Sequence, residues 1–205
     1  MINKLITIID YGMSNLGSVQ NAFSYLGANT IISNNPAEVA KADVLLLPGV
    51  GSFQVAMLAL ETSGLGDAIC EAVINKKRKI LGICLGMQLL GVSSTEGGNT
   101  VGLGVIPASI DRIPKTKHKV PHIGFNAVKA GKNSKLMRDL QEYPDFYFVH
   151  SYRMLDEGLS GCVSYCDYCG PFVAAYEQDN IFMTQFHPEK SQTNGLTLLK
   201  NFLSI

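Results

Sequence analysis

The chain has 205 residues, 46% of them hydrophobic and 17% charged, which is enough for one well-buried core and too few for two ordinary domains. Its 17 basic residues balance 17 acidic ones, so no net field draws it to nucleic acid or to an anionic membrane. No apolar run is long enough to span a bilayer, the N-terminus lacks a signal-peptide layout, and an odd count of 5 cysteines reads as reduced thiols in a cytoplasmic compartment.

Residues 4–10 read as a buried strand, because Leu5, Ile6, Ile8 and Ile9 leave almost no polar alternation. The loop Asp10-Tyr11-Gly12-Met13-Ser14-Asn15 follows, then a helix over residues 17–26 that stops at Gly27. Gly12 and Gly17 invite a phosphate-loop reading, but no Lys-Ser or Lys-Thr pair follows the second glycine, and that reading fails. A strand over 29–32, a short helix over 36–40 and a third, buried strand over 44–47 come next. Pro48-Gly49-Val50-Gly51-Ser52 closes that strand, with a backbone free to turn its amides outward and Ser52 placed to cap a helix from Phe53. A Pro-Gly turn is also the commonest way to leave a strand. A helix over 65–75 ends in Lys76-Lys77-Arg78-Lys79, a solvated helix end whose charges complement the dipole.

Residues 80–83 form a short apolar run that stops at Cys84, and a helical pattern over 87–91 starts at once. Gly82-Ile83-Cys84-Leu85-Gly86 has the spacing of a nucleophile elbow with cysteine as the nucleophile. Small residues two places to either side let strand and helix approach closely. The thiol then projects over the first free N–H groups of the helix, which favour the attacking thiolate form, and the Leu85 N–H points where an oxyanion donor is needed. The alternative is a packed thiol, the usual fate of a cysteine in an apolar run. About a hundred residues on, Thr184-Gln185-Phe186-His187-Pro188-Glu189 ends another apolar run with a histidine and, two residues later, a glutamate. A cysteine nucleophile needs a base, and the base needs a carboxylate to fix its tautomer; Cys84, His187 and Glu189 can meet both needs. His118, His122 and His150 compete for the role of base. An α/β-hydrolase places its acid between nucleophile and histidine, whereas Glu189 follows His187.

Between the two motifs the character changes. Residues 94–104 form a glycine-rich loop, 108–128 read as short strands and turns, and Lys115-Thr116-Lys117-His118-Lys119 is a basic cluster suited to facing a partner. A strand over 146–149 ends at His150-Ser151-Tyr152. Cys162, Cys166 and Cys169 cluster, but no fourth ligand stands at zinc-site spacing, and no metal is expected. Strands over 172–176 and 181–185 form a hairpin around Glu177-Gln178-Asp179-Asn180, and a helix over 196–203 closes the chain through Leu198, Leu199 and Phe202. The predicted fold is α/β: a doubly wound, mostly parallel sheet with flanking helices, plus a short-stranded antiparallel section in the C-terminal half. With no linker, repeat or low-complexity tract, residues 1–205 are expected to form one domain.

Gly-Ile-Cys-Leu-Gly-Met-Gln at 82–88 and Gln-Phe-His-Pro-Glu-Lys-Ser at 185–191 resemble the class I (triad) glutamine amidotransferase family. Asp10-Tyr11-Gly12, Asn15-Leu16-Gly17, Leu47-Pro48-Gly49-Val50-Gly51, Val120-Pro121-His122-Ile123-Gly124 and Tyr147-Phe148-Val149-His150-Ser151-Tyr152 narrow the resemblance to glutaminase subunits of imidazole glycerol phosphate synthase. The resemblance implies a flavodoxin-like amidotransferase fold, no cofactor, and hydrolysis of L-glutamine by Cys84, His187 and Glu189, with the Val50 and Leu85 amides as oxyanion hole. It also implies that the peptide around Gly49 and Val50 turns over before it donates, which holds activity low until a partner docks. It places Gly49, Gln88, His150, Ser151 and Tyr152 in the glutamine pocket; for Gln88 an exposed helix position is the plain alternative.

Free ammonia is mostly ammonium at neutral pH, so a glutaminase that feeds a synthesis must pass its product on directly. The resemblance identifies the receiver as a (β/α)8-barrel cyclase subunit that forms imidazole glycerol phosphate and AICAR in histidine biosynthesis. It implies an interface at Phe125, Asn126, Tyr147 and Lys190, with core packing as the alternative for the two aromatics. Phe125 stands where the family usually carries tryptophan, of which this chain has none, and the cysteine-rich segment 164–169 also departs from the pattern. Almost the same landmarks occur in glutaminase subunits that serve a sugar amidotransferase in surface-polysaccharide synthesis. A catalytically silent binding subunit is the reading from another class.

Overall fold

The computed structural model describes residues 5–115 and 118–205; Lys4, at the head of the first predicted strand, and Thr116 and Lys117 of the basic cluster lie outside the described residues. The first half alternates strand and helix: β1 (Ile6–Ile9), α1 (Leu16–Tyr25), β2 (Thr30–Ser33), α2 (Pro36–Val39), β3 (Val44–Gly49), α3 (Phe53–Ser63), α4 (Leu65–Cys70), β4 (Lys79–Cys84) and α5 (Leu85–Leu89). The second half is mostly strand: β5 (Ser93–Ser94), β6 (Thr100–Val101), β7 (Ser109–Arg112), β8 (His122–Lys129), β9 (Asp145–His150), β10 (Tyr152–Met154), β11 (Cys162–Asp167), β12 (Pro171–Gln178) and β13 (Ile181–Thr184). Helix α6 (Gln192–Ser204) ends the chain.

Among the described residues the main sheet has 9 strands in the order β2-β1-β3-β4-β13-β12-β11-β8-β9. Pairs from β2 to β13 are parallel and those beyond are antiparallel, so the sheet is mixed rather than mostly parallel. Strands β10, β7, β5 and β6 make a second, small sheet. The near-continuous apolar runs of β1 and β3 are buried throughout, because helices cover both faces. Ile9 joins the core under α3, α4 and α5, while Ile6 and Ile8 join the opposite core under α1 and α6.

Several local expectations change. Ser52 precedes α3 without a side-chain cap, and the Phe53 N–H instead donates to the Glu96 carboxylate at 2.7 Å. An acidic oxygen satisfies a helix N-terminus wherever it comes from, and this one comes from across the fold. The basic run after α4 is not a freely solvated end: Arg78 pairs with Asp43 at 2.6 Å, and the Lys79 ammonium donates to the Phe202 carbonyl at 2.8 Å. Glu177 lies in β12 rather than in the hairpin turn; its buried carboxylate accepts the Ser134 hydroxyl and the Lys135 and Leu136 N–H groups. Cys162 and Cys166 belong to β11, a strand the sequence reading left out.

The elbow rests on a steric requirement that can be tested. A methyl group at Gly86 would overlap the Leu47 carbonyl of β3, whose backbone is fixed in the sheet centre. Gly86→Ala is therefore expected to cost about 3 kcal/mol or more in urea unfolding. Gly17→Ala, in α1 with open space around it, should be neutral or stabilising by about 0.5–1 kcal/mol.

Candidate active site

Strand β4 runs out of the sheet centre into α5 with no loop between them, and Cys84 is the hinge. Its backbone sits at φ 55°, ψ −110°, a region that residues with a side chain avoid unless the surroundings impose it. A side chain at Gly82 would press on the Gly86 carbonyl, Leu90 and the Met87 backbone at 3.0 Å, so the elbow needs small residues on both sides of the cysteine. Cys84 is only 6% exposed, yet it lines a cleft of about 410 Å³ rather than the sealed core.

The partner of this elbow arrives from the far end of the sequence. Strand β13 pairs in parallel with β4, Thr184 opposite Ile83, so the chain leaves β13 directly beside the thiol. Gln185 comes first: its Nε2 donates to Cys84 Sγ at 3.7 Å, and its Oε1 accepts Gln88 Nε2 at 2.9 Å. His187 follows, and Pro188 starts a tight turn that brings Glu189 back under the ring. The Glu189 carboxylate accepts from His187 Nδ1 at 2.7 Å, with both side chains almost wholly buried. His187 Nε2 is buried beside the Cys84 sulfur and makes no hydrogen bond of ordinary geometry. Burial alone opposes a charged imidazole. Contact with the Cys84 thiol and the Glu189 carboxylate outweighs it and pushes His187 up to about 10. Ser191 pins this turn, donating to the His187 carbonyl and accepting the Tyr147 N–H of β9.

The cleft walls carry most of the other residues singled out from sequence. Val50, Leu85, Gln88, His150, Ser151, Tyr152 and Lys190 all line it. Gln88 is 4% exposed, so the exposed helix position is ruled out. Val50 differs from the expected donor: its N–H already donates to the Met13 carbonyl at 2.9 Å and is not turned into the cleft. Gly49 stands outside the lining, with the Tyr11 hydroxyl against it. His150 is spoken for at both nitrogens, Nδ1 on the Tyr152 carbonyl at 2.8 Å and Nε2 on His122 Nδ1 at 3.0 Å. Burial holds His150 down to about 3 and His122 to about 4, which removes both from the competition for a base.

Phe125, Asn126 and Tyr147 lie outside the cleft on the paired strands β8 and β9. Phe125 is 50% exposed, with its ring edge-on to Tyr147 at 5.5 Å, so it is no core aromatic. Sequence reasoning missed three groups. From sequence Gln185 is part of a motif with no role of its own, Glu96 falls in the glycine-rich loop, and the Tyr11 hydroxyl is buried beside Gly49 with no hydrogen-bond partner. Only Gln185 carried a local signal, its place two residues before the histidine.

A thiol on a strained elbow at the cleft and a buried, carboxylate-held imidazole beside it are the groups that an amide-cleaving site of the amidotransferase kind requires. The family model described as glutamine amidotransferase class-I matches residues 7–205, and the chain belongs to that family. Its relatives include imidazole glycerol phosphate synthase subunit HisH 2 of Methanococcus maripaludis, 44% identical over 200 residues that cover 97% of this chain and 98% of the relative. Subunit HisH 1 of Campylobacter jejuni is 45% identical over 204 residues, 98% of this chain and all of the relative. The chloroplastic imidazole glycerol phosphate synthase hisHF of Arabidopsis thaliana is 41% identical over 204 residues, 98% of this chain but 34% of that longer protein. Among solved structures, PurLQS from Thermotoga maritima shares the fold with a TM-score of 0.75 at 13% identity, covering 98% of each chain.

Proposed function

We propose that this chain is the glutaminase subunit of an imidazole glycerol phosphate synthase, releasing ammonia from L-glutamine for a cyclase partner. The observation that carries the chemistry is the meeting of Cys84, which lines the cleft, with the buried His187–Glu189 pair beside it. The 41–45% identity to synthase subunits along nearly the whole chain supports the pathway.

In this reading Cys84 Sγ attacks the side-chain carbonyl carbon of glutamine, and the carbonyl oxygen becomes an oxyanion facing the Leu85 N–H. Protonated His187 gives its Nε2 proton to the departing nitrogen, the C–N bond breaks, and ammonia leaves a glutamyl thioester. His187 then takes a proton from water, hydroxide displaces the thiolate, and glutamate is released. Glu189 holds the ring throughout and stabilises the imidazolium before the proton leaves and after it returns. Gln88, His150, Ser151 and Tyr152 form the glutamine pocket, and Gly49 joins it once the peptide beside it rotates. The second oxyanion donor, Val50, is withheld while its N–H stays on Met13, so turnover waits for that peptide to rotate.

Phe125, Asn126, Tyr147 and Lys190 form the docking face for a (β/α)8-barrel cyclase. Among the described residues no helix is long and apolar enough to cross a membrane. The test is a glutaminase assay with and without candidate synthases. The expected result is stimulation of about 100-fold or more by the barrel cyclase with its nucleotide ligand, the size of effect that one oxyanion donor supplies. Stimulation only by a sugar-modifying amidotransferase would overturn the pathway and leave the glutaminase chemistry in place.

A further inference from the structure

With both rings neutral, His122 and His150 have a single consistent proton arrangement. The Tyr152 carbonyl can only accept, so His150 Nδ1, 2.8 Å away, must carry the proton. A neutral His150 then offers Nε2 as an acceptor, and His122 Nδ1 at 3.0 Å must be the donor. That leaves His122 Nε2 as an acceptor facing Asn126 Nδ2 at 3.5 Å. The Asn126 amide is held in this sense because its Oδ1 accepts the Ala127 N–H at 3.0 Å. Both rings are buried, which keeps them neutral, and His122 lies flat between Tyr168 at 3.9 Å and Phe148 at 4.8 Å, a stack that fixes its ring plane.

At the other end the Tyr152 carbonyl accepts a second bond, from Gln88 Nε2 at 2.9 Å. The same Gln88 nitrogen fixes the Gln185 amide, so Gln185 presents N–H and not carbonyl oxygen to the Cys84 sulfur. A Gln185 amide turned the other way would set lone pairs against a thiolate.

We infer that His122 is a positioning residue of the glutaminase site: locked as its Nδ1–H tautomer by Asn126, it orients His150 and, through the Tyr152 carbonyl and Gln88, the amide donor that Gln185 holds on Cys84. This inference rests on the glutaminase reading for its consequence, not for its geometry. His122 touches neither the cleft nor the thiol, and it acts only through the groups between. Removing its ring nitrogens while keeping the stack leaves His150 Nε2 as a buried acceptor with no donor. The ring then turns or takes up a proton, and the alignment of Tyr152 and Gln88 goes with it.

The experiment has two arms. A long-range 15N–1H spectrum of the full chain, whose 4 histidines can be assigned by single substitutions, should show His122 and His150 both neutral with the proton on Nδ1 at neutral pH. A proton on Nε2 of either ring, or a charged ring, overturns the inference. In the complex with its synthase, His122→Phe, which keeps the aromatic sandwich, should lower kcat/KM for glutamine by about ten-fold or more at a temperature where circular dichroism shows the variant still folded. His122→Asn, whose amide N–H stands where Nδ1 was, should recover activity to within about three-fold. Full activity in the Phe variant, or an Asn variant no better than Phe, refutes the role. If the unaltered complex released no glutamate at all, the functional reading would fall while the spectrum still decided the tautomers.

Discussion

Cys84→Ala is expected to reduce glutamine hydrolysis by about 10,000-fold or more, with the fold and partner binding retained. The magnitude follows from the roles available in the cleft. His187 and Glu189 can hold and move a proton, but among the described lining residues Cys84 alone supplies a sulfur. The measurements are glutamate release by the stimulated complex and mass-spectrometric labelling by a glutamine-analogue electrophile, which should mark Cys84 and vanish in the variant. Equal labelling of another cysteine, or activity within about ten-fold of the unaltered chain, would sink the assignment. Cys84→Gly supplies a second readout. Glycine accepts φ 55° without strain, so this variant should be as inactive as alanine and more stable than it by about 1 kcal/mol. Activity and stability then oppose each other at one backbone position, as expected where a functional residue holds a strained conformation.

Glu189→Gln is expected to lower kcat by about 100- to 10,000-fold with little change in partner affinity. The amide keeps the shape of the carboxylate but removes the charge that sustains an imidazolium in a buried site, and its N–H can force the wrong tautomer on Nδ1. Stability should respond as well. The His187 pKa is raised from an ordinary 6.5 to about 10 in the folded chain, so the folded state holds this proton more tightly than the unfolded one. Its contribution is fully present below pH 6.5 and is lost as pH rises through 10. Urea unfolding from pH 6 to 10 should therefore show a stability decline in the unaltered chain that is shallower in Glu189→Gln. A decline of identical slope in both would mean that the carboxylate does not hold the histidine's charge.

Much of the site was legible in the chain itself because its physics is local. The elbow needs small residues at 82 and 86 within a few positions of Cys84, and Glu189 reaches His187 within one tight turn. Apolar runs with no alternation announced β1, β3 and β4 as strands covered on both faces. These features repeat or bend within a handful of residues, so periodicity and spacing suffice to find them. β11 escapes the sequence reading because Cys162 and Cys166 draw attention as possible ligands, and its burial, confined to Ser164 and Cys166, gives no strong apolar alternation.

The tertiary structure alone decided which of these pieces meet. Placing β13 in parallel beside β4 joins Cys84 to Gln185 and His187, and no local pattern states that register. The Glu96 carboxylate on the Phe53 amide, the Met13 carbonyl on Val50, and the His122–His150 pair are likewise contacts between segments far apart in sequence. Each is a hydrogen bond whose donor could have been satisfied by water or by a nearer group. Which partner it takes depends on where the sheet brings the backbone once the two apolar faces are buried.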